Sequence, residues 1–213
     1  MRVRRHAERG HYDEATIYPI LDAGLFCHVG FSDAQGPVVI PTAYARVDDD
    51  LYLHGAAGNA TLRTLSKGAP ACVTVTLVDG VVLARSAFHH SIDYRSVMIF
   101  GTAEEVTDPA EKYAALTAIV EHLVPGRSAD ARPPSDSELR QTLVVRLPIR
   151  EASAKIRTGG PVDDPEDLAL PVWAGHIPIE MTAGSPIADE SNPVSGSPPK
   201  YATTYGRSAH GVA

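Results

Sequence analysis

The chain has 213 residues, 44% of them hydrophobic and 21% charged, which suits one globular domain with a sizeable core and excludes disorder throughout. Its formal charge of −7 gives no electrostatic footprint for nucleic acid. No apolar run approaches the roughly 20 residues of a membrane span, and Met1-Arg2-Val3-Arg4-Arg5-His6 leads into polar residues rather than a signal core, so a cytoplasmic protein with no membrane partner is expected.

After a charged arm, Thr16 reads as the cap of a short helix with Pro19 in its first turn and Gly24 as its left-handed stop. The period then changes to two. Leu25–Phe31 and Pro37–Tyr44 form a hairpin through Asp33-Ala34-Gln35-Gly36, and Asp48-Asp49-Asp50 turns the chain into a third strand, Leu51–His54. Asn59 is an N-cap for a helix burying Leu62 and Leu65 and ending at Gly68. Ala71–Val78 and Val81–Phe88 read as two strands joined by Asp79-Gly80, a pair that hairpin turns favour. A strand from Tyr94 to Val106 follows. Asp108-Pro109-Ala110-Glu111 opens a helix with Tyr113, Leu116, Val120 and Leu123 on one face, and Pro125-Gly126 stops it. Arg127–Ser137 reads as a surface loop, Thr142–Ile149 as a strand, and Val172–Met181 as the last strand.

Hairpins dominate where βαβ units would be needed for a parallel sheet, so the expected fold is mainly β: an antiparallel barrel with helices packed outside. Glycine and proline, 17 of each, mark the turns and also a segment with almost no apolar periodicity. The expected organisation is one domain over residues 1–183 and a flexible tail over 184–213. Cys27 and Cys72 lie in apolar alternating stretches and read as small buried hydrophobes rather than a disulfide or a zinc site.

Three segments are candidates for chemistry. Leu51 to Leu62 is a strand running through Gly55 and Gly58 into a helix whose first N–H groups, at Ala60, Thr61 and Leu62, would face an anion; equally, Asn59 is only a cap and the glycines only a turn. Phe88 to Val97 is polar between apolar strands, with His89 and His90 on opposite sides of an extended chain and so poorly placed for one metal ion. Arg95 there reads either as a surface ion-pair partner or as a contact for an anionic or aromatic ligand. Ser153 to Pro161 brings Lys155 and Arg157 near a glycine turn and reads as a solvated strand edge or a phosphate contact. Trp173 reads as core before ligand platform. No HExxH, GxSxG or phosphate-loop pattern occurs, so neither a metal nor an activated nucleophile is expected.

Taken in order, Arg9–Asp13, Thr16–Tyr18, Ile20–Gly24, Val39–Tyr44, Leu51–Gly55, Ala84–Ser91, Tyr94–Val97 and Pro171–Gly175 resemble the pyridoxamine 5'-phosphate oxidase-like, flavin-nucleotide-binding family, in its branch related to nitroimidazole-resistance proteins. The resemblance covers about residues 9–183. It implies a Greek-key split β-barrel, a homodimer and FMN at the subunit interface. Carried over position by position, it assigns Pro41, Thr42, Ala43 and Tyr44 to the strand along the flavin ring, and His54 and Gly55 to the ring and ribityl chain. Asn59, Ala60 and Thr61 fall at the phosphate and Ser96 at a further flavin contact. Beside these carried-over positions, the cofactor set is completed by Arg95 and Lys155 as cations and by Trp173 as the ligand-platform alternative.

This sequence departs from the family in having Ala60-Thr61 where many relatives carry an Arg-Lys pair for the phosphate, with Arg63, Arg95 or Lys155 as possible substitutes. The segment by which true pyridoxamine-phosphate oxidases grip their substrate is also missing. The resulting expectation is an FMN-dependent oxidoreductase acting on a small planar or nitro-containing compound. The alternatives are a non-enzymatic carrier of flavin or haem, with His54, His89 or His90 as axial ligand, and a deazaflavin-dependent reductase.

Overall fold

The computed structural model describes residues 2–193 and 196–206. A two-residue strand β1 (Gly10–His11) precedes helix α1 (Glu14–Ala23), which Asp13 caps by accepting the Thr16 N–H at 2.8 Å. Helix α1 therefore begins before the expected cap, and Pro19 lies inside it, where it lacks the N–H for a helical bond. Gly24 ends α1 in an extended conformation, φ −72°, not a left-handed one. Close approach explains the glycine: a Cβ there would lie 2.5 Å from Val75 Cγ1 and 2.7 Å from the Tyr44 hydroxyl.

Strands β2 (Cys27–Asp33) and β3 (Gly36–Thr42) form the expected hairpin, with Gly36 at φ +121° in its turn. The chain breaks at Ala43 and continues as β4 (Tyr44–Val47) and β5 (Asp50–Ala56), then α2 (Ala60–Leu65). Residues Pro70–Leu83 form one strand, β6, rather than two. At Asp79-Gly80 its pairing with β7 (Ser91–Thr102) slips by one residue, so the expected hairpin is a β-bulge. Gly80 is needed because His176 lies over it: a Cβ there would sit 1.8 Å from the His176 Nε2.

After β8 (Glu104–Glu105) comes α3 (Pro109–Leu123), capped by Asp108 as expected. Its buried residues are Ala115 and Ile119, while Leu116 and Leu123 of the expected face are partly buried against the same cluster. Part of the expected loop is helical: α4 (Asp136–Gln141) starts with a reciprocal capping box between Ser135 and Glu138. Strands β9 (Thr142–Pro148) and β10 (Glu151–Arg157) follow. Strand β10 lies between β1 and β7, with Ser153, Ala154 and Arg157 buried, so the solvated-edge expectation fails. Only Gly175–Pro178 of the last expected strand pairs, as β11 on β6. A short helix α5 (Lys200–Thr203) lies within the expected tail, and beyond it the Tyr205 hydroxyl donates to the Leu123 carbonyl at 2.9 Å. The parts of that tail at 194–195 and 207–213 lie outside the described residues.

The fold is mainly β and antiparallel, as expected of a split barrel. A seven-stranded sheet runs β1-β10-β7-β6-β2-β3 with β11 beside β6, a four-stranded sheet runs β4-β5-β9-β8, and neither closes on itself. The main core lies between them. Val29, Val73, Val97 and Ile99 from the large sheet meet Leu51, Leu53, Val145 and Leu147 from the small one, with Ile17, Ile20 and Leu21 of α1. A second cluster joins the other side of the small sheet to α3 through Tyr52, Val144, Ala115 and Ile119. There Tyr52 donates to Glu111, which Arg146 also contacts at 3.3 Å, and burial followed by the Glu111 hydrogen bond pushes the Tyr52 phenol up to about 12.

Both described cysteines are free; Cys27 is buried, and burial pushes its thiol up to about 12. Among the described residues no helix is long and apolar enough to cross a membrane.

Replacing Gly24 by Ala forces a Cβ against two fully buried side chains, an overpacking expected to cost about 1–3 kcal/mol. The check is thermal unfolding of the variant, with a loss of about 2–4 °C for each kcal/mol.

Candidate functional site

Strand alternation along β5 sets up the site. Leu51 and Leu53 enter the main core, whereas Tyr52 and His54 face the α3 side of the small sheet, His54 opposite Val144 of β9. The chain then turns through Ala56–Asn59, and Asn59 caps α2 by accepting the Leu62 N–H at 3.0 Å. Gly55 serves packing, because a Cβ there would meet Leu62 Cδ1 at 2.9 Å, whereas Gly58 has nothing within 4 Å. Arg63 folds back across this turn and donates from Nε to the Ala57 carbonyl at 2.6 Å. The turn at the start of α2 thus has a guanidinium bound to it.

The structure divides the sequence-predicted residues into groups. Thr42, His54, Asn59 and Thr61 line one cavity of about 30 Å³, with Gly55 and Ala60 on the same turn. That volume admits about a water molecule and no ring system. Pro41, Ser96 and Lys155 share the outer face of the large sheet: Ser96 stands between Thr76 and Lys155 in register, and Pro41 is opposite His28, itself opposite Thr74. Ala43 packs on the α3 cluster, and Tyr44 is fully buried with its hydroxyl donating to the Leu21 carbonyl.

Arg95 is committed to a bidentate pair with Asp79 at 2.7 and 2.9 Å. Trp173 is 67% exposed, correcting its assignment to the core, and its ring covers the Gly175 backbone.

A larger cavity of about 380 Å³, which no motif in the sequence marks, lies between α3 and the segment leading into α4. Its walls are Tyr113, Leu116, Thr117, Ile119, Val120 and Leu123 of α3, Ser128 and Ala131–Pro134 of the connection, Glu138 of α4, and His54. The expected apolar face of α3 is therefore a cavity wall. Arg132 at its edge is paired with Glu138 at 2.8 Å, and that pair holds the Glu138 carboxyl down at about 2.

His54 borders both cavities, and its Nδ1 is buried without a hydrogen-bond partner. The other two candidate histidines are engaged. His90 Nδ1 lies 3.0 Å from the Ser86 carbonyl, and His89 Nε2 lies 3.2 Å from Asp164, with Asp167 alongside. Burial holds the His54 imidazole below its ordinary range.

Residues 13–156 match the family model described as pyridoxamine 5'-phosphate oxidase. The chain belongs to this family. Among solved structures, the pyridoxamine 5'-phosphate oxidase-like chain is similar to the flavocytochrome Anf3 from Azotobacter vinelandii, at 40% identity over 93% of this chain and 92% of that one, TM-score 0.88. It is similar to the FAD and heme binding protein from Mycobacterium smegmatis, at 35% identity over 91% and 95%, TM-score 0.86. A Bacteroides thetaiotaomicron protein named for 5-nitroimidazole antibiotic resistance shares 28% identity over 69% and 86%, TM-score 0.58. No curated protein sequence matches the chain significantly.

Since burial lowers the proton affinity of His54 in the folded state, the unfolded chain binds that proton first as pH falls below about 6.5. The contribution of His54 to stability is complete above that value and declines on acidification. Denaturation midpoints at about pH 8 and 5.5 should fall further for the native chain than for His54→Gln.

Proposed function

We propose that this chain is a flavin-binding redox protein that also carries haem, with His54 as the iron ligand. The observation that carries the haem assignment is the buried, unpartnered Nδ1 of His54, on a residue that borders an apolar cavity of about 380 Å³. An imidazole nitrogen without a hydrogen-bond partner costs stability unless something else binds the ring, and apolar walls from α3 suit a flat macrocycle. The two similar structures that align over more than nine tenths of this chain, a flavocytochrome and an FAD and heme binding protein, support the same reading.

For the flavin, family membership supports binding, and the phosphate end falls at the α2 turn. Asn59, Ala60 and Thr61 supply the turn, and Arg63, already bonded to Ala57, supplies the cation that the missing Arg-Lys pair would have given. Arg95 is less suited to that role, because its Nε and Nη2 are engaged with Asp79. The Mycobacterium smegmatis protein favours FAD over the FMN implied by the sequence resemblance; heat release and chromatography of the bound flavin distinguish the two.

Exposed Val39, Val78 and Met98 on the large sheet, and Phe88 and Trp173 on its loops, supply an apolar surface for the homodimer in which Pro41, Ser96 and Lys155 would cover the flavin. When bound, a flavin supplies hydride transfer and haem supplies one-electron chemistry. The chain's residues bind and orient these groups and exclude water. A small planar or nitro-containing electron acceptor is the proposed substrate, and the protein acts as an oxidoreductase on it.

Protein produced with haem and flavin available should show a Soret band together with two flavin bands. His54→Ala should lose the Soret band and keep the flavin, and a Soret band that survives would sink the haem assignment. Arg63→Ala should weaken flavin-nucleotide binding about tenfold or more, the loss expected for a charge-assisted hydrogen bond. Titration of flavin fluorescence measures it, and an unchanged affinity would move the phosphate away from α2.

A further inference from the structure

Beyond the barrel, β6 continues past its bulge as a narrow ribbon between β7 and β11. On this ribbon three charged or titratable side chains meet from three strands. Asp93 of β7 is buried, and Arg157 of β10 donates to its Oδ1. Its other oxygen, Oδ2, lies 3.3 Å from Nε2 of His176 on β11. In register, Asp93 stands opposite Gly80 and His176 opposite Val82, so the imidazole must cross β6 to reach the carboxylate. It crosses at Gly80, where a Cβ would lie 1.8 Å from Nε2. The bulge and the glycine together make a cradle for this ring.

The remaining charges around the cradle are matched. Arg157 also donates to the carbonyls of Gly159 and Gly160, which spreads its charge away from Asp93. Asp79 on the bulge and Arg95 of β7 pair with each other. Arg85, just past β6, pairs with Asp163. His176 is the only titratable side chain of β11, and Glu180 lies two residues beyond that strand. The side chain of His176 is 38% exposed, so protons reach it from solvent.

We propose that His176 is a proton-operated latch for β11: protonated, it closes an ion pair with the second oxygen of Asp93 and holds β11 and the adjoining Trp173 connection on the end of β6. Without that proton, β11 keeps its backbone pairing, including the Ile179 N–H to the Asp79 carbonyl at 3.0 Å, and only a neutral contact of the imidazole with Asp93. The proton converts a neutral contact into a charge-assisted one. Attachment is therefore tighter when the imidazole carries the proton and looser when it does not. This sign is opposite to that of His54, whose burial makes acid destabilising for the whole fold.

The test is hydrogen exchange of the β11 backbone amides in the full chain between about pH 5.5 and 8, corrected for the intrinsic pH dependence of exchange. In the native chain, protection of β11 relative to the core strands should be about fivefold greater at the acid end, the difference between a neutral and a charge-assisted hydrogen bond. His176→Gln should abolish the pH dependence. Gly80→Ala keeps both charges and fills the cradle, so it should abolish it too. Protection independent of pH in the native chain, or the same pH dependence retained in His176→Gln, would overturn the latch. If Gly80→Ala does not fold, His176→Gln still decides, because its side chain is partly in solvent. None of these readings depends on flavin or haem.

Discussion

Alternation along β5, an inner strand of the four-stranded sheet, is the constraint on which the rest of the molecule depends. Because successive side chains point to opposite faces, Leu51 and Leu53 reach the core shared with the large sheet while Tyr52 and His54 reach toward α3. A slip of one residue would exchange the two sets and put an imidazole in the main core. The register with β9, from Asp50 opposite Pro148 to Ala56 opposite Thr142, and the Tyr52–Glu111–Arg146 contacts oppose that slip. The same strand then delivers the chain to the α2 turn, so one alternation places both the cavity histidine and the candidate phosphate end.

Much of this was legible in the sequence because it rests on local chemistry. Asn59 and Asp108 cap helices where their side chains can reach an N–H two or three residues on, and the β2–β3 hairpin follows from alternation around a glycine turn. The less legible parts depend on neighbours distant in sequence. Asp79-Gly80 has the residues of a tight turn, yet its glycine makes room for His176, almost a hundred residues away. Gly24 looks like a helix stop and is a contact with Val75 and Tyr44. Local sequence identifies that a glycine is needed; it does not distinguish positive φ from close approach.

The α3 stripe is a different case. Tyr113, Leu116, Val120 and Leu123 recur at helical spacing, and periodicity reads such residues as buried. They do turn inward, but toward a cavity; the fully buried contacts are made by Ala115 and Ile119, with Leu116 and Leu123 packed beside them. An apolar wall around a cavity and an apolar wall against a core have the same pattern in one dimension. What separates them is the partner, here the connection from Ser128 to Pro134, whose prolines and capping box signal a shaped segment rather than a plain loop. Family resemblance supplied Ser96, which no spacing argument reaches, and strand register puts it on one face of the sheet with Lys155, which the cations near a glycine turn had already singled out.

The environment of Cys27 has a consequence for a protein read as handling electrons. Sulfur reacts with oxidants and electrophiles as thiolate, and with the thiol pushed up to about 12 only about one molecule in 100,000 carries that form at pH 7. The core cysteine is thus chemically quiet, and peroxide generated nearby would find no sulfenic acid to make at this position.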